Sequence, residues 1–194
     1  MKYRIEEIKN QEVWNDFVEK QDLVNILSSW EWIEFERKLG FKTKAFRIDN
    51  KGIFAFRVVN SKKGKFLLLK QSTFVDWNDE DVIFLLIGFL KLKCREQGCK
   101  FFRISPPLLH SLENENLFLK YGFKKSVLPP ADGQLTTVLN LQKSLDDMQK
   151  DMRKNARYLV RKAQKMGVEV LHTQGKEYLE DFRDIYKKTV SRHK

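Results

Sequence analysis

Basic side chains recur at helical spacing in the last third of the sequence. Arg153, Arg157 and Arg161 are four residues apart, and Lys154 follows the first of them. On a helix this spacing places the three arginines along one side, where they could bind successive phosphates of a nucleic acid. A solvated basic face opposite an apolar stripe is the alternative interpretation of the same pattern.

No catalytic residue stands out by its type and spacing. The three histidines, at positions 110, 172 and 193, are scattered, and each is better interpreted as structural or exposed than as a general base. The sequence has no Gly-x-Ser-x-Gly elbow, Walker loop or dinucleotide-binding fingerprint. The catalytic residues therefore stay unassigned at this stage.

The cysteines and two aspartates have structural explanations. Cys94 and Cys99 lack the second pair, or the closely spaced histidines, that a zinc site requires, so we expect two reduced cysteines and no metal. Asp76 and Asp79 lie between a predicted strand and a predicted helix. Helix capping explains them at least as well as catalysis does.

The charge balance favours polyanionic partners. The 194 residues include 37 Lys and Arg against 26 Asp and Glu, a net charge of +11, with only nine Gly and four Pro. This composition excludes collagen-like and low-complexity classes and favours nucleic acid, nucleotide phosphates or an anionic membrane surface. The longest apolar run, residues 82–90, is far shorter than the roughly 20 residues of a spanning helix. The N-terminus does not resemble a secretory signal, so we expect a cytoplasmic protein.

The hydrophobic periodicity predicts an α+β fold with an acyltransferase-like order of elements. Helices are predicted at 11–20, after the cap Ser29, at 79–97 after the cap Asn78, and at 113–121. Strands are predicted at 1–8, 43–48, 52–59, 65–70, 99–104 and 134–141. The turn 49–52 has hairpin chemistry.

The composition changes after about residue 141. Ser144 and Asp147 form a capping box that opens a predicted long helix over 144–166, which Gly167 ends. A strand at 168–172 and a helix at 176–189 are predicted to follow. The chain then stops at or just past a helix end, which we interpret as a cut rather than a natural terminus.

Five sequence blocks resemble, in order, those of the Fem-type (FemABX) peptidoglycan bridge aminoacyltransferases. The blocks are 28–41 (with Ser28-Ser29-Trp30-Glu31-Trp32), 102–107, 121–125, 136–141 and 152–170 (with Met152-Arg153-Lys154-Asn155-Ala156-Arg157-Tyr158). They are spread over most of the chain, and the last block is the most specific.

The resemblance implies a fold, a reaction and partners. Family members have two acyl-CoA N-acyltransferase (GNAT)-like domains, each a mixed sheet flanked by helices. The resemblance implies that residues 1–142 form the first domain and that residues 143–194 form the incomplete start of the second. They transfer an amino acid from aminoacyl-tRNA to the stem peptide of lipid II or UDP-MurNAc-pentapeptide, in cell wall biogenesis that maintains cell shape. No cofactor is implied, and peripheral contact with the inner membrane face is left open.

The resemblance also implies site residues. Arg192 takes the position of a family arginine that contacts precursor phosphate. The family's phosphate-binding lysine in the helix after the tryptophans aligns near Glu36, so that Arg37 or Lys38 would substitute for it, beside Trp32. The tRNA would contact the basic residues at positions 153, 154, 157 and 161.

Two departures from the family pattern are visible. Ser105 replaces an aspartate of the family, and Gln71-Ser72 replaces a Gly-Pro turn.

Two further functions stay open. The chain could be a non-catalytic RNA- or phosphate-binding module that uses the basic helix. It could also be an acetyl-CoA-dependent N-acyltransferase, although none of the nine glycines forms the Gly-rich turn that cradles the coenzyme pyrophosphate. Recognition of a muropeptide nucleotide would separate the bridge-forming enzyme from an RNA-binding module.

Overall fold

A computed structural model describes residues 2–62, 64–126 and 139–192. The chain divides into two compact units, Met1–Leu135 and Thr136–Lys194. Whether these units correspond to two GNAT-like domains with the boundary at residue 142 stays a prediction. None of the helices in the described ranges is long and apolar enough to cross a bilayer.

The first unit is built on a mixed sheet, as the sequence predicted. Its strands are β1 (Ile5–Ile8), β2 (Thr43–Ile48), β3 (Gly52–Ser61), β4 (Gly64–Leu69), β5 (Thr73–Val75) and β6 (Phe101–Ile104). The order is β1-β2-β3-β4-β6, with β5 paired to β3. All neighbours are antiparallel except β4 and β6, which are parallel. The predicted α+β class with a mixed sheet flanked by helices is confirmed.

Helices cover both faces of this sheet. They are α1 (Gln11–Val18), α2 (Trp30–Lys38), α3 (Glu80–Glu96) and α4 (Leu112–Lys120), with a short 3-10 helix at Ile26–Ser28. Side chains alternate along β3: Ile53 and Ala55 pack with α1 and α2, whereas Phe54 and Phe56 pack with α3. The core is therefore two layers of apolar side chains, one on each side of the sheet.

Local sequence signals explain most helix ends. The Ser29 hydroxyl accepts a hydrogen bond from the Trp32 amide and caps α2, as predicted. Helix α3 is capped by Asp79, whose carboxylate accepts from the amides of Asp81 and Val82, so the prediction of Asn78 as the cap was wrong. Asp79 is the better cap because its side-chain oxygen reaches two free amides of the first turn.

The short strand β5 was not predicted. It pairs with the start of β3, whereas β4 pairs with the end of β3. Gly52 allows this approach, because a Cβ atom there would lie 2.6 Å from the Phe74 carbonyl oxygen. Residues 70–72 form the bulge between β4 and β5, and this bulge is one wall of the candidate site.

The second unit contains three helices in its described part. They are α5 (Leu145–Asp151), α6 (Lys154–Lys165) and α7 (Leu179–Arg192). The predicted single helix over 144–166 was wrong: the chain is extended at Met152 and Arg153, with ψ of 147° and 144°, so two helices form. Ser144 caps α5 as predicted, since its hydroxyl accepts from the Asp147 amide; the Asp147 carboxylate accepts from that hydroxyl at 2.7 Å.

Two predicted strands have different outcomes. The strand predicted at 168–172 does not form. An isolated strand has no hydrogen-bonding partners for its backbone, and the described part of the second unit offers no other strand to pair with. The strand predicted at 134–141 falls mainly on residues 127–138, which lie outside the described residues.

Candidate functional site

A small recess lies on the α2 face of the sheet in the first unit. Helix α2 supplies Trp32, Ile33 and Glu36, and the bulge after β4 supplies Lys70 and Ser72. The remaining walls are Leu27 from the 3-10 helix and four strand residues, Thr43, Ala55, Arg57 and Leu68. The tryptophan-rich block that carries the family resemblance therefore forms one side of the recess.

The floor of the recess is a buried carboxylate with three donors. Glu36 accepts from an Arg57 Nη1 at 2.9 Å, from the Thr43 hydroxyl at 3.0 Å and from Trp32 Nε1 at 3.2 Å. The side chains of Glu36 and Arg57 are only 7% and 17% exposed. The Arg57 guanidinium also lies 4.5 Å from the centre of the Phe41 ring. The carboxylate of Glu36 is thus neutralised and held inside the protein.

The predicted site residues on α2 lie in different environments. Trp32 lines the recess and is half-buried. Arg37 donates to Glu34 at 2.6 Å and to the Thr43 carbonyl at 3.1 Å, and its guanidinium lies over the Trp30 ring. Lys38 is the last residue of α2 and is exposed. Of the two α2 cations predicted to bind phosphate, Lys38 is the more exposed.

Helix α6 presents a basic arc and an opposite apolar arc. At 100° per residue, Lys154, Arg157, Arg161 and Lys165 share one side with Tyr158, whereas Leu159, Ala163 and Met166 lie on the other. No side chain of α6 is buried. Arg153 precedes the helix as its N-cap residue, so it does not continue the helical row as predicted.

One arginine of the basic arc, Arg157, also joins α6 to α5 through a hydrogen bond. The Arg157 side chain donates to the Lys150 carbonyl and so bridges the break between α5 and α6. Arg161 and Lys154 are exposed. Arg192, predicted to contact precursor phosphate, is the last residue of α7 and is exposed.

The acidic candidates have structural partners. Asp79 caps α3 and accepts from the Tyr3 hydroxyl at 2.6 Å, and Asp76 pairs with Lys51 at 3.0 Å. The hydrogen bond from Tyr3 holds the pKa of Asp79 below its ordinary value, with smaller contributions from the Val82 amide and from Lys51. These contacts join the N-terminus to the start of α3 and support the capping interpretation.

A depressed pKa at Asp79 predicts stability that is lost in acid. The charged form is favoured in the folded protein, so its contribution is present above the unfolded pKa and disappears as pH falls through the lower folded pKa. Tyr3→Phe should therefore lower the free energy of unfolding above about pH 5, and this difference should shrink below about pH 4. Urea unfolding across pH would measure it. Tyr178→Phe, at an exposed tyrosine, is the control, and a Tyr3→Phe difference independent of pH would contradict the assignment.

Both thiols are protonated at neutral pH, and neither of the described imidazoles lines the recess. Burial raises the pKa of the Cys94 thiol to about 11 and also raises that of Cys99, so both are thiols at neutral pH. His110 and His172 are exposed, and His193 lies outside the described residues. Within the described ranges no group of three or more His, Cys, Asp or Glu side chains could hold a metal ion.

Sequence reasoning missed Glu36, Arg57 and Lys70 as neighbours. The spacing of Trp32 and Glu36, four apart on one helix, was an available signal for their contact. Lys70 directly precedes Gln71-Ser72, which had been aligned with the family's Gly-Pro turn. Arg57 gave no signal, since nothing in β3 predicts a partner on α2.

Comparisons with known proteins agree with the motif resemblance. The model of the FemAB family matches residues 121–194. The fold matches the crystal structure of FemX with a TM-score of 0.71 and 16% identity, over 97% of this chain and 50% of that chain. The Fem-type resemblance identified from the sequence blocks is thereby confirmed. The chain spans about half the length of FemX.

Weaker structural similarities extend to acetyltransferases. A probable acetyltransferase matches with a TM-score of 0.44 and 16% identity, over 67% of this chain and 99% of that chain. The glucosamine-6-phosphate N-acetyltransferase of Arabidopsis thaliana matches with a TM-score of 0.45 and 14% identity, over 69% of this chain and 99% of that chain. No curated protein matches the sequence significantly.

Proposed function

We propose that this chain acts in an aminoacyl transfer that builds peptidoglycan bridges. The premises are that residues 121–194 match the FemAB family and that 97% of this chain matches the fold of FemX. The acceptor is the stem peptide of lipid II or UDP-MurNAc-pentapeptide, and the donor is aminoacyl-tRNA. The observation that carries the proposal is the position of the tryptophan-rich family block, which lines a recess in a FemX-like fold.

The proposed reaction makes modest chemical demands. The acceptor amine attacks the ester carbonyl of the aminoacyl-tRNA, a C–N bond forms, and the C–O bond to the tRNA hydroxyl breaks as the amine proton is lost. Because the ester is already activated, holding the two substrates in position supplies much of the rate. Donors to the developing oxyanion and an acceptor for the proton are still needed, and we assign neither to a residue.

The charge distribution supports both polyanionic substrates. The exposed basic arc of α6 suits the phosphates of a tRNA, and Tyr158 within it adds an exposed aromatic ring on which a base could stack. We propose that Lys38, Arg37 and Trp32 act on the precursor in the first unit and that Arg192 contacts its phosphate. The 1–142 and 143–194 division and a cytoplasmic location belong to the same proposal.

Titration with UDP-MurNAc-pentapeptide tests the proposal. We expect calorimetry of the purified, folded chain to show binding to this precursor and none to UDP-GlcNAc at the same concentration. Arg192→Ala should weaken precursor binding by roughly tenfold, because it removes one charge-assisted contact to phosphate. Lys188→Ala, an exposed cation on the same helix, is the matched control and should bind as the parent does.

One result would contradict the proposed function, and another would contradict only the role of Arg192. A folded chain that ignores the precursor but binds tRNA would favour the non-catalytic RNA-binding module, which the basic arc of α6 alone could support. If Arg192→Ala and the Lys188→Ala control bind the precursor equally well, the phosphate role of Arg192 is wrong while the substrate assignment stands.

A further inference from the structure

Lys70 is a partly buried cation on the wall of the recess, beside the Trp32 ring. Its Nζ lies 5.9 Å from the centre of the Trp32 ring. In the part of the chain that the structure describes, no Asp or Glu forms an ion pair with it. The other charges that line the recess in the described residues, Glu36 and Arg57, are paired with each other, so Lys70 determines the net charge at its rim.

The bulge fixes the backbone that carries Lys70. The Ser72 amide and hydroxyl both donate to the Lys70 carbonyl, and the Ser28 hydroxyl donates to the Gln71 carbonyl at 2.6 Å. The Ala55 amide donates to the Ser72 carbonyl at 3.0 Å and ties the bulge back to β3. With its backbone anchored at these points, Lys70 keeps its place beside Trp32 and only its side chain is free to adjust.

The buried carboxylate does not neutralise Lys70. Both oxygens of Glu36 already accept hydrogen bonds, and its charge is balanced by Arg57 at 2.9 Å. The recess therefore keeps one positive charge, at the end of a long side chain.

The remaining walls limit what that charge can bind. Leu27, Ile33, Ala55 and Leu68 are apolar, and Ser72 contributes a hydroxyl that is already bonded to backbone carbonyls. A diphosphate needs several donors, whereas one lysine above apolar walls suits a single anionic group attached to a less polar body.

We propose that Lys70, beside the Trp32 indole, binds one carboxylate or phosphate group of the acceptor substrate. This inference rests on the proposed function for the identity of the acceptor, but the anion site itself does not depend on it. Lys70 would act as a positioning residue in addition to the cations on α2.

Small anions test the site without reference to the acceptor. Acetate and inorganic phosphate are titrated separately at constant ionic strength, and the Trp32 indole N–H signal, assigned with Trp32→Phe, is followed by ¹⁵N NMR. We expect a saturable shift in the parent, and binding at least about tenfold weaker in Lys70→Met, because a hydrogen bond to a charged group is lost. Lys91→Met removes an exposed lysine on α3, across the sheet, and should behave as the parent.

Precursor titrations then identify the source of the anion. We expect Lys70→Met to weaken UDP-MurNAc-pentapeptide binding about tenfold. A similar loss with UDP, which carries the diphosphate and no carboxylate, would assign the contact to phosphate, whereas no loss would assign it to a carboxylate of the precursor.

The outcomes separate the two proposals. If the anions bind through Lys70 but the precursor does not bind, the site stands and the proposed function fails. If the precursor binds and Lys70→Met changes neither its affinity nor the anion titrations, the proposed function stands and the inference about Lys70 is overturned.

Discussion

Glu36→Ala is expected to lower the free energy of unfolding by about 3–5 kcal/mol, because it leaves a buried guanidinium without its counter-ion. The Arg57 side chain is 17% exposed, and its Nε atom is already buried without a hydrogen-bond partner. The Thr43 hydroxyl and Trp32 Nε1 would lose their acceptor at the same time. Urea unfolding followed by tryptophan fluorescence would measure the loss.

Two variants separate the loss of pairing from the loss of the side chain itself. Glu34→Ala removes a partly exposed carboxylate of the same helix, paired with Arg37 at 2.6 Å, and should cost less than about 1 kcal/mol. The double variant Glu36→Leu/Arg57→Met removes both charges and should recover most of the stability lost in Glu36→Ala. If the free energy of unfolding of Glu36→Ala is within about 1 kcal/mol of the parent's, the Glu36–Arg57 pair does not hold α2 to the sheet.

The pair also shows what the sequence could predict about this site. The position and cap of α2 follow from local signals, Ser29 before the helix and Gly40 after it, and both are observed. Glu36 looks like an ordinary exposed acid in a helix rich in charges. Its burial depends on Arg57, which is 21 residues away on β3, and no local pattern encodes that contact.

The break between α5 and α6 in the second unit is another feature that local sequence patterns did not predict. The apolar stripe predicted one helix over 144–166 because nothing in Asp151-Met152-Arg153 breaks a helix by propensity. The observed break is accompanied by the side-chain bond from Arg157 to the Lys150 carbonyl and by the Lys143–Asp151 ion pair at 2.6 Å. Propensity does not include such bonds, so the helix was predicted but its break was not.

Charge reversal on α6 is expected to produce the largest loss of binding. Arg161→Glu/Lys165→Glu removes two cations from the basic arc and adds two anions, so tRNA affinity should fall by roughly 100-fold near 0.1 M salt. The dependence of log K on log salt should also become shallower, by about 0.7–0.9 per lost phosphate contact. Arg157 is left intact, since its bond to the Lys150 carbonyl joins α5 to α6. Filter binding or fluorescence anisotropy over a salt series would measure both quantities.

A control of equal charge distinguishes a local site from the general attraction of a basic protein. Lys42→Glu/Lys91→Glu makes the same change in net charge at two exposed lysines of the first unit. If the basic arc of α6 is the tRNA site, this control should retain most of the affinity and its salt dependence. Equal losses in the two double variants would mean that the net charge of +11 attracts RNA without a defined site. The exposed row of cations on α6 would then be a solvated basic face, and the donor part of the proposed function would lose its support.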